Sequence, residues 1–205
     1  DLERITWNAP AALLEKLIAY EAVHRIRSWT DLKNRLDSDR RCYAFFHPRM
    51  PDEPLIFVEV ALVNGMAGNV QALLDEQAPA TDPAAADSAI FYSISNCQRG
   101  LGGVSFGNFL IKRVVGMLKS DLPKLETFAT LSPIPGFRAW LDPLLAKADD
   151  GLLTPREEAE LAAAGGGEAG GQAALAALLA RSDWPRDEAA AAALRGPLMR
   201  LGARY

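Results

Sequence analysis

Histidine and cysteine are scarce, with two of each among 205 residues. Cys42 and Cys97 alone cannot build a disulfide framework or a four-ligand zinc site, and no H-E-x-x-H or paired-cysteine motif is present. The two thiols read as buried side chains. A catalytic thiol at Cys97, close to a glycine-rich turn, is the sharper reading, and no motif supports it. No apolar run approaches the roughly 18 residues of a membrane span and no secretory leader is seen, so a soluble intracellular chain is the expectation. A surplus of positive charge is missing too: the net charge of -4 argues against nonspecific nucleic-acid binding. Trp7, Trp29, Trp140 and Trp184 are scattered without a stacking pattern and read as core or interface anchors. Neither G-x-x-x-x-G-K-[ST] nor G-x-G-x-x-G occurs where a strand meets a helix, which sets aside a nucleotide P-loop and a Rossmann turn.

What the sequence does carry is a core-forming composition, 49% hydrophobic and 23% charged, in a length suited to one ordinary domain. Its organising stretch covers residues 89–118. Ile90, Phe91, Tyr92 and Ile94 form an aromatic and β-branched run that predicts a buried strand. Gly100, Gly102, Gly103 and Gly107 follow, and Leu110, Ile111, Val114, Val115 and Leu118 then recur at helical spacing, with Asn108 as the expected N-terminal cap. Such a unit is a natural anion cradle, because glycines let the backbone approach a ligand and a helix start presents free N–H groups. The dipole contributes only about 0.3–1 kcal/mol at an exposed site, so aimed N–H groups must supply most of the grip. The same turn is also an ordinary way to join a strand to a helix. Lys112, Arg113 and Lys119 either meet a phosphate or form a solvated helix face. Tyr92, Ser93 and Ser95 line or flank a channel on one strand face and pack on the other.

Around this unit the pattern predicts helices over 9–19, entered through Pro10, and over 30–36, capped by Thr30 or Asp31. Strands are expected over 41–46 and 55–63, joined by the turn-rich 48–54, and a helix over 68–78. A strand over 125–131 is broken by Pro133 and Pro135. Ser132, at its end, either caps the turn or projects its hydroxyl into a cleft. Past residue 141 the chain turns alanine-rich. Thr154 opens a helix with Glu157 in the capping-box position, 165–171 reads as a flexible connector, and helices are expected over 173–181 and 186–194. The expected fold is α+β: a mixed sheet with flanking helices over 1–141 and an appended helical segment over 142–205.

The glycine turn resembles the pyrophosphate loop of the GNAT acyltransferase fold, in which coenzyme A lies against a strand and a glycine loop. Six stretches carry a closer resemblance: ERITW at 3–7, YEAVH at 20–24, FYSIS at 91–95, GNFLIKRVV at 107–115, LSPIPGF at 131–137 and PLMRL at 197–201. In this order, from end to end, they resemble the catalytic domain of the malonyl-CoA decarboxylase family. The resemblance implies a GNAT acyltransferase-like sheet and the decarboxylation of malonyl-CoA to acetyl-CoA and CO2. Losing CO2 from a malonyl thioester leaves an enolate, so such a site must stabilise negative charge on the thioester oxygen and deliver a proton to carbon. The resemblance further implies that Gly102, Gly103, Val104, Ser105, Phe106, Gly107 and Asn108 bind malonyl-CoA, and that Ser132 contacts the malonyl group and acts as proton acceptor. No metal and no separate cofactor are implied, since coenzyme A is part of the substrate. The implied partners are malonyl-CoA and acetyl-CoA, with no nucleic acid or membrane, and a homo-oligomer is expected of the full-length protein.

The family also carries an N-terminal helical oligomerisation domain, C-terminal strands and a proton-donating histidine in an N-F-H-type motif shortly downstream of PLMRL. None is expected within these residues, and neither His24 nor His47 matches the histidine's position; His24 reads as structural. The 205-residue form is therefore expected to bind coenzyme A better than it turns over substrate. GNAT-type acyl transfer to an amine and a noncatalytic CoA-binding module are the alternative functions, and the LSPIPGF wording counts against the first. The Ala- and Arg-rich texture suggests a bacterial cytoplasm.

Overall fold

The β-rich run over 40–63 folds back on itself at Pro48 and Arg49, and this hairpin becomes the middle of the sheet. In the computed structural model, which describes residues 1–104, 106–147, 151–165 and 171–205, five strands lie side by side in chain order. They are β1 (Leu2–Ile5), β2 (Arg40–His47), β3 (Met50–Val63), β4 (Ser88–Asn96) and β5 (Thr127–Thr130). Neighbours from β1 to β4 pair antiparallel, and β5 joins β4 in parallel. The fold is α+β, a five-stranded mixed sheet with flanking helices, as the sequence predicts.

The chain divides into two compact units, Asp1–Pro133 and Ile134–Tyr205. In the first, helices cover both sheet faces. α1 (Ala11–Tyr20) and α2 (Trp29–Arg35) bring Leu14, Leu17 and Leu32 onto Cys42, Ala44 and Phe57. Between β3 and β4 lies the single turn α3 (Val70–Leu73), whose Leu73 packs with Ile90 and Tyr92. On the opposite face α4 (Phe106–Asp121) sets Leu110, Val114 and Leu118 against Val58, Val60, Leu62 and Phe91. Fully burying each such aliphatic side chain contributes about 1.5–3 kcal/mol.

Local chemistry moves several boundaries from their expected places. The cap of α2 is Ser28, whose hydroxyl accepts from the Asp31 amide at 3.0 Å, and not Thr30 or Asp31. The hairpin turn is shorter than 48–54 because residues 50–54 already belong to β3; Pro51 is tolerated at its exposed tip, and the buried Pro54 at a register shift, where it meets Phe46. The helix expected over 68–78 stops after four residues: the Asp75 carboxylate accepts from the Gln77 amide at 2.9 Å and offers the backbone a turn instead. Asn108 lies inside the first turn of α4 and is not its cap. β1, unpredicted, is a four-residue edge strand with only Ile5 buried, and it exists through its pairing with β2.

The second unit has a core of its own. Leu141 of α5 (Phe137–Ala146), Leu152, Leu161 of α6 (Pro155–Gly165), Leu175 and Leu178 of α7 (Gly171–Ala180), and Leu194 and Leu201 of α8 (Glu188–Arg204) form one cluster. The boundary falls at Pro133, not at 141, because α5 gives Leu141 to this cluster; a second core also makes this unit more than an appended segment. The predicted capping box forms, with the Thr154 amide 2.8 Å from a Glu157 carboxylate oxygen and the Glu157 amide 3.3 Å from the Thr154 hydroxyl. Of the expected connector over 165–171, residues 166–170 lie outside the described residues. α8 runs past residue 194 because Pro197 and Leu201 continue its buried face beyond Gly196. Among the described residues no helix is long and apolar enough to cross a membrane.

Candidate active site

Two parallel strands that pair and then part create the site. β4 and β5 are in register from Ser88 opposite Thr127 to Phe91 opposite Thr130, and the Leu131 amide donates to the Phe91 carbonyl at 2.9 Å. There the ladder ends. β4 continues to Asn96 paired only to β3, while the other chain reaches the exposed Ser132 and breaks at Pro133. Because the strands are parallel, Ser132 and the glycine turn lie toward the same end of the sheet. They are offset by the unpaired residues 92–96, roughly 15 Å of extended chain.

A β-bulge shapes the parting. Val60 faces Phe91 and Glu59 faces Ser93, which leaves Tyr92 without an opposite number. Phe91 and Ile94 consequently pack toward α4, whereas Tyr92 and Ser93 both turn to the α1–α2 face. Tyr92 meets the His24 ring with centroids 6.4 Å apart. The Ser93 hydroxyl donates to the Glu21 carboxylate at 2.7 and 2.9 Å, and the Ser95 hydroxyl does so at 3.1 Å. Only 1% of Ser93 and none of Ser95 is exposed, so these serines build the wall of the expected channel and do not line it. The same Glu21 carboxylate accepts from the Val23 and His24 amides at 2.9 and 2.7 Å.

Behind this wall sits a buried charge cluster. Arg35 Nε lies 2.7 Å from Asp31 and its Nη1 lies 3.0 Å from Glu59. Burial, set against the pull of Arg35, pushes the Glu59 carboxyl up to about 8. A cavity of about 430 Å³ opens on this side, lined by Val23, His24, Arg25, Arg27 and Arg35 together with Glu76 and neighbouring residues.

At the other end of the unpaired segment the chain makes a short helical turn, Arg99–Leu101, and enters the glycine turn. Gly103 adopts φ +80°, open to glycine at little cost, and a Cβ on Gly102 would stand 3.2 Å from the Arg99 carbonyl. Val104 is 54% exposed, and Ser105 lies outside the described residues. Phe106, Gly107 and Asn108 form the first turn of α4, where N–H groups lack intrahelical carbonyls; the Phe106 amide is taken by the Val104 carbonyl at 2.8 Å. A Cβ on Gly107 would stand 3.4 Å from Ile94 Cγ2, so this glycine lets α4 approach β4 closely. The structure thus sets the predicted loop residues, Ser105 apart, at the end of β4 and Ser132 beyond the end of β5.

Other candidates fall elsewhere. Lys112 and Arg113 line a shallow groove with Leu2, at the far margin of the sheet from β5, whereas Lys119 lies over the Phe128 ring at 5.2 Å. Cys97 is half-buried, and burial, with Glu53 and Glu21 adding, pushes its thiol up to about 12, the opposite of an activated nucleophile. Glu21 and the bulge escaped sequence reasoning; the signal for Glu21 was a carboxylate directly after a helix end, within YEAVH.

The comparisons with known proteins bear on this geometry. Residues 1–205 match the family described as the malonyl-CoA decarboxylase C-terminal domain. The mitochondrial malonyl-CoA decarboxylase of Anser anser anser is 43% identical over 212 aligned residues, which cover 100% of this chain and 42% of that protein. The rat mitochondrial enzyme is 42% identical, with 100% of this chain and 43% of the relative covered. Among solved structures, malonyl-CoA decarboxylase from Agrobacterium vitis superposes with a TM-score of 0.83 at 45% identity, covering 100% of this chain and 47% of that one. That from Cupriavidus metallidurans gives 0.72 at 51% identity, covering 100% and 47%. The chain spans less than half the length of these relatives. A match along its whole length, on a sheet that parts beside a glycine turn, means that the chain belongs to the malonyl-CoA decarboxylase C-terminal domain family.

Proposed function

We propose that this chain is the substrate-binding and catalytic part of an enzyme that decarboxylates malonyl-CoA to acetyl-CoA and CO2. The observation that carries the reading is the spacing along β4. The glycine turn and the start of α4 offer N–H groups to a pyrophosphate, and Ser132, beyond the end of β5, lies on the other side of the unpaired residues 92–96, roughly 15 Å of extended chain. The extended arm of coenzyme A between its pyrophosphate and its sulfur is of comparable length, and the free edge of 92–96 offers main-chain groups to its amides. With the pyrophosphate held at the glycine turn, the acyl end of the arm reaches Ser132.

In the reaction the bond between the carboxylate carbon and the α-carbon breaks, CO2 leaves, and the electron pair moves onto the thioester oxygen as an enolate. Ser132 is the residue we assign to the malonyl group. A proton then returns to the α-carbon; the family resemblance gives that step to a histidine in a motif downstream of PLMRL. One preorganised donor to the developing oxyanion contributes about 2.7–4 kcal/mol, and a positioned acid about 10²–10⁴ in rate. A homo-oligomer of the intact protein belongs to the same proposal. A bacterial cytoplasmic setting rests on composition, against relatives named mitochondrial.

The test is to incubate the intact protein with malonyl-CoA, follow acetyl-CoA and CO2, and measure coenzyme A binding by calorimetry, with Ser132→Ala alongside. Acetyl-CoA formed without an acyl acceptor, and lost in Ser132→Ala while binding persists, supports the assignment. Dependence on an amine acceptor would indicate acyl transfer, and tight binding without turnover a noncatalytic CoA module.

A further inference from the structure

We propose, building on the decarboxylase reading, that Glu21 is a positioning residue: its carboxylate latches the loop after α1 to the unpaired half of β4 and so sets the wall of the cleft. Residues 92–96 have no ladder on the β5 side and contain the bulge at Tyr92, so pairing to β3 alone leaves this segment less constrained than the rest of the strand. Glu21 supplies the missing constraint. It takes the Ser93 hydroxyl at 2.7 and 2.9 Å and the Ser95 hydroxyl at 3.1 Å, and the Ser95 oxygen in turn accepts from the Ala22 amide at 3.1 Å.

The other half of the latch is the Val23 and His24 amides at 2.9 and 2.7 Å. Val23 and His24 line the cavity of about 430 Å³, and the His24 ring rests against Tyr92. One carboxylate therefore fixes the rim of the cavity and the strand beside which the acyl group lies. Bonds to an ionised acceptor are shorter and stiffer than neutral ones, which suits a part that must hold position. Both serine protons are spent on Glu21 and both hydroxyls are buried, so the effect on substrate passes through the backbone.

The test uses the intact protein with Glu21→Ala and Glu21→Gln, reading malonyl-CoA kinetics and amide hydrogen exchange over 22–25 and 92–96. Glu21→Ala is expected to lower kcat about 10–100-fold with KM changed less than about 3-fold. Exchange is expected to accelerate about 10-fold or more in both segments together. Glu21→Gln keeps an acceptor oxygen for the loop amides and offers an N–H to the serine oxygens, so it recovers most of both losses. Unchanged protection over 92–96 in Glu21→Ala overturns the proposal, and so does an unchanged kcat in a protein that merely melts lower. If the unsubstituted protein releases no CO2, the decarboxylase reading fails by itself. The exchange measurement still decides the latch: coupled loss supports it, and an unaffected strand overturns it.

Discussion

Leu131 gives its amide to the Phe91 carbonyl at 2.9 Å, and this is the last rung between two parallel strands. The next residue is Ser132, so the rung sets where the two strands part. Leu131→Pro removes the donor and leaves a buried carbonyl unpaired, at a cost of about 1–3 kcal/mol. Under the proposed function, turnover of malonyl-CoA should be lost while coenzyme A binding persists; calorimetry and acetyl-CoA release on one sample check both.

Two glycines of α4 should respond in opposite directions. Gly107 has Ile94 Cγ2 at 3.4 Å from a Cβ position, and Gly107→Val should push the helix start off β4, costing about 1–3 kcal/mol and weakening coenzyme A binding. Gly116 has nothing within 4 Å, so Gly116→Ala should stabilise by about 0.5–1 kcal/mol through helix propensity alone. Urea titrations of the two variants give the comparison.

Gly136 has φ +81°, and a Cβ there would stand 2.6 Å from the Tyr205 hydroxyl oxygen, which itself donates to the Pro135 carbonyl at 2.9 Å. Gly136→Ala is expected to cost about 1–2 kcal/mol for the left-handed backbone and to break that hydrogen bond as Tyr205 swings aside. Tyr205→Phe should lose only the bond, about 0.5–1.5 kcal/mol. Equal losses in the two variants would contradict this division.

The second unit should weaken in acid. Arg200, with 2.7 and 2.9 Å bonds, and the Thr154 bonds hold the Glu157 carboxyl down at about 2 against the opposing effect of burial. An acid whose folded value lies below its unfolded value of 4.5 binds fewer protons when folded. Its stabilisation is complete above that unfolded value and is lost as pH falls from about 4.5 to about 2. Glu157→Gln should cost about 1–3 kcal/mol at pH 7 and flatten this acid slope, as followed by circular dichroism in urea at each pH.

Neither cysteine should alkylate readily. Burial pushes Cys97 up to about 12 and Cys42 well above the ordinary thiol value, so at pH 7.5 iodoacetamide should label both far more slowly than a free thiol. Mass spectrometry over time, native against urea-unfolded, reads this directly.

The strand, turn and helix over 88–121 were legible because they are local: one apolar run, a glycine cluster and one helical stripe. The capping box at Thr154 was legible for the same reason, two residues three apart with one function. What escaped depends on partners distant in sequence. β1 is a strand only because β2 receives it, Glu21 reaches Ser93 and Ser95 across more than seventy residues, and the bulge at Tyr92 is a property of the β3–β4 register. The length of α8 shows the converse limit: Gly196 and Pro197 signal a stop, and a leucine core overrides them.

The bulge at Tyr92 also keeps the two faces of β4 in phase with β3 despite an extra residue. Removing this one residue would restore strict alternation along β4 and leave every later residue opposite its present β3 partner and on its present side. Ser93 and Ser95 would still face the Glu21 carboxylate and Ile94 the apolar layer under α4, while the Tyr92 ring against His24 would be lost. The bulge thus lets β4 carry one residue more than its partner strand without exchanging oil for charge on either face of the sheet.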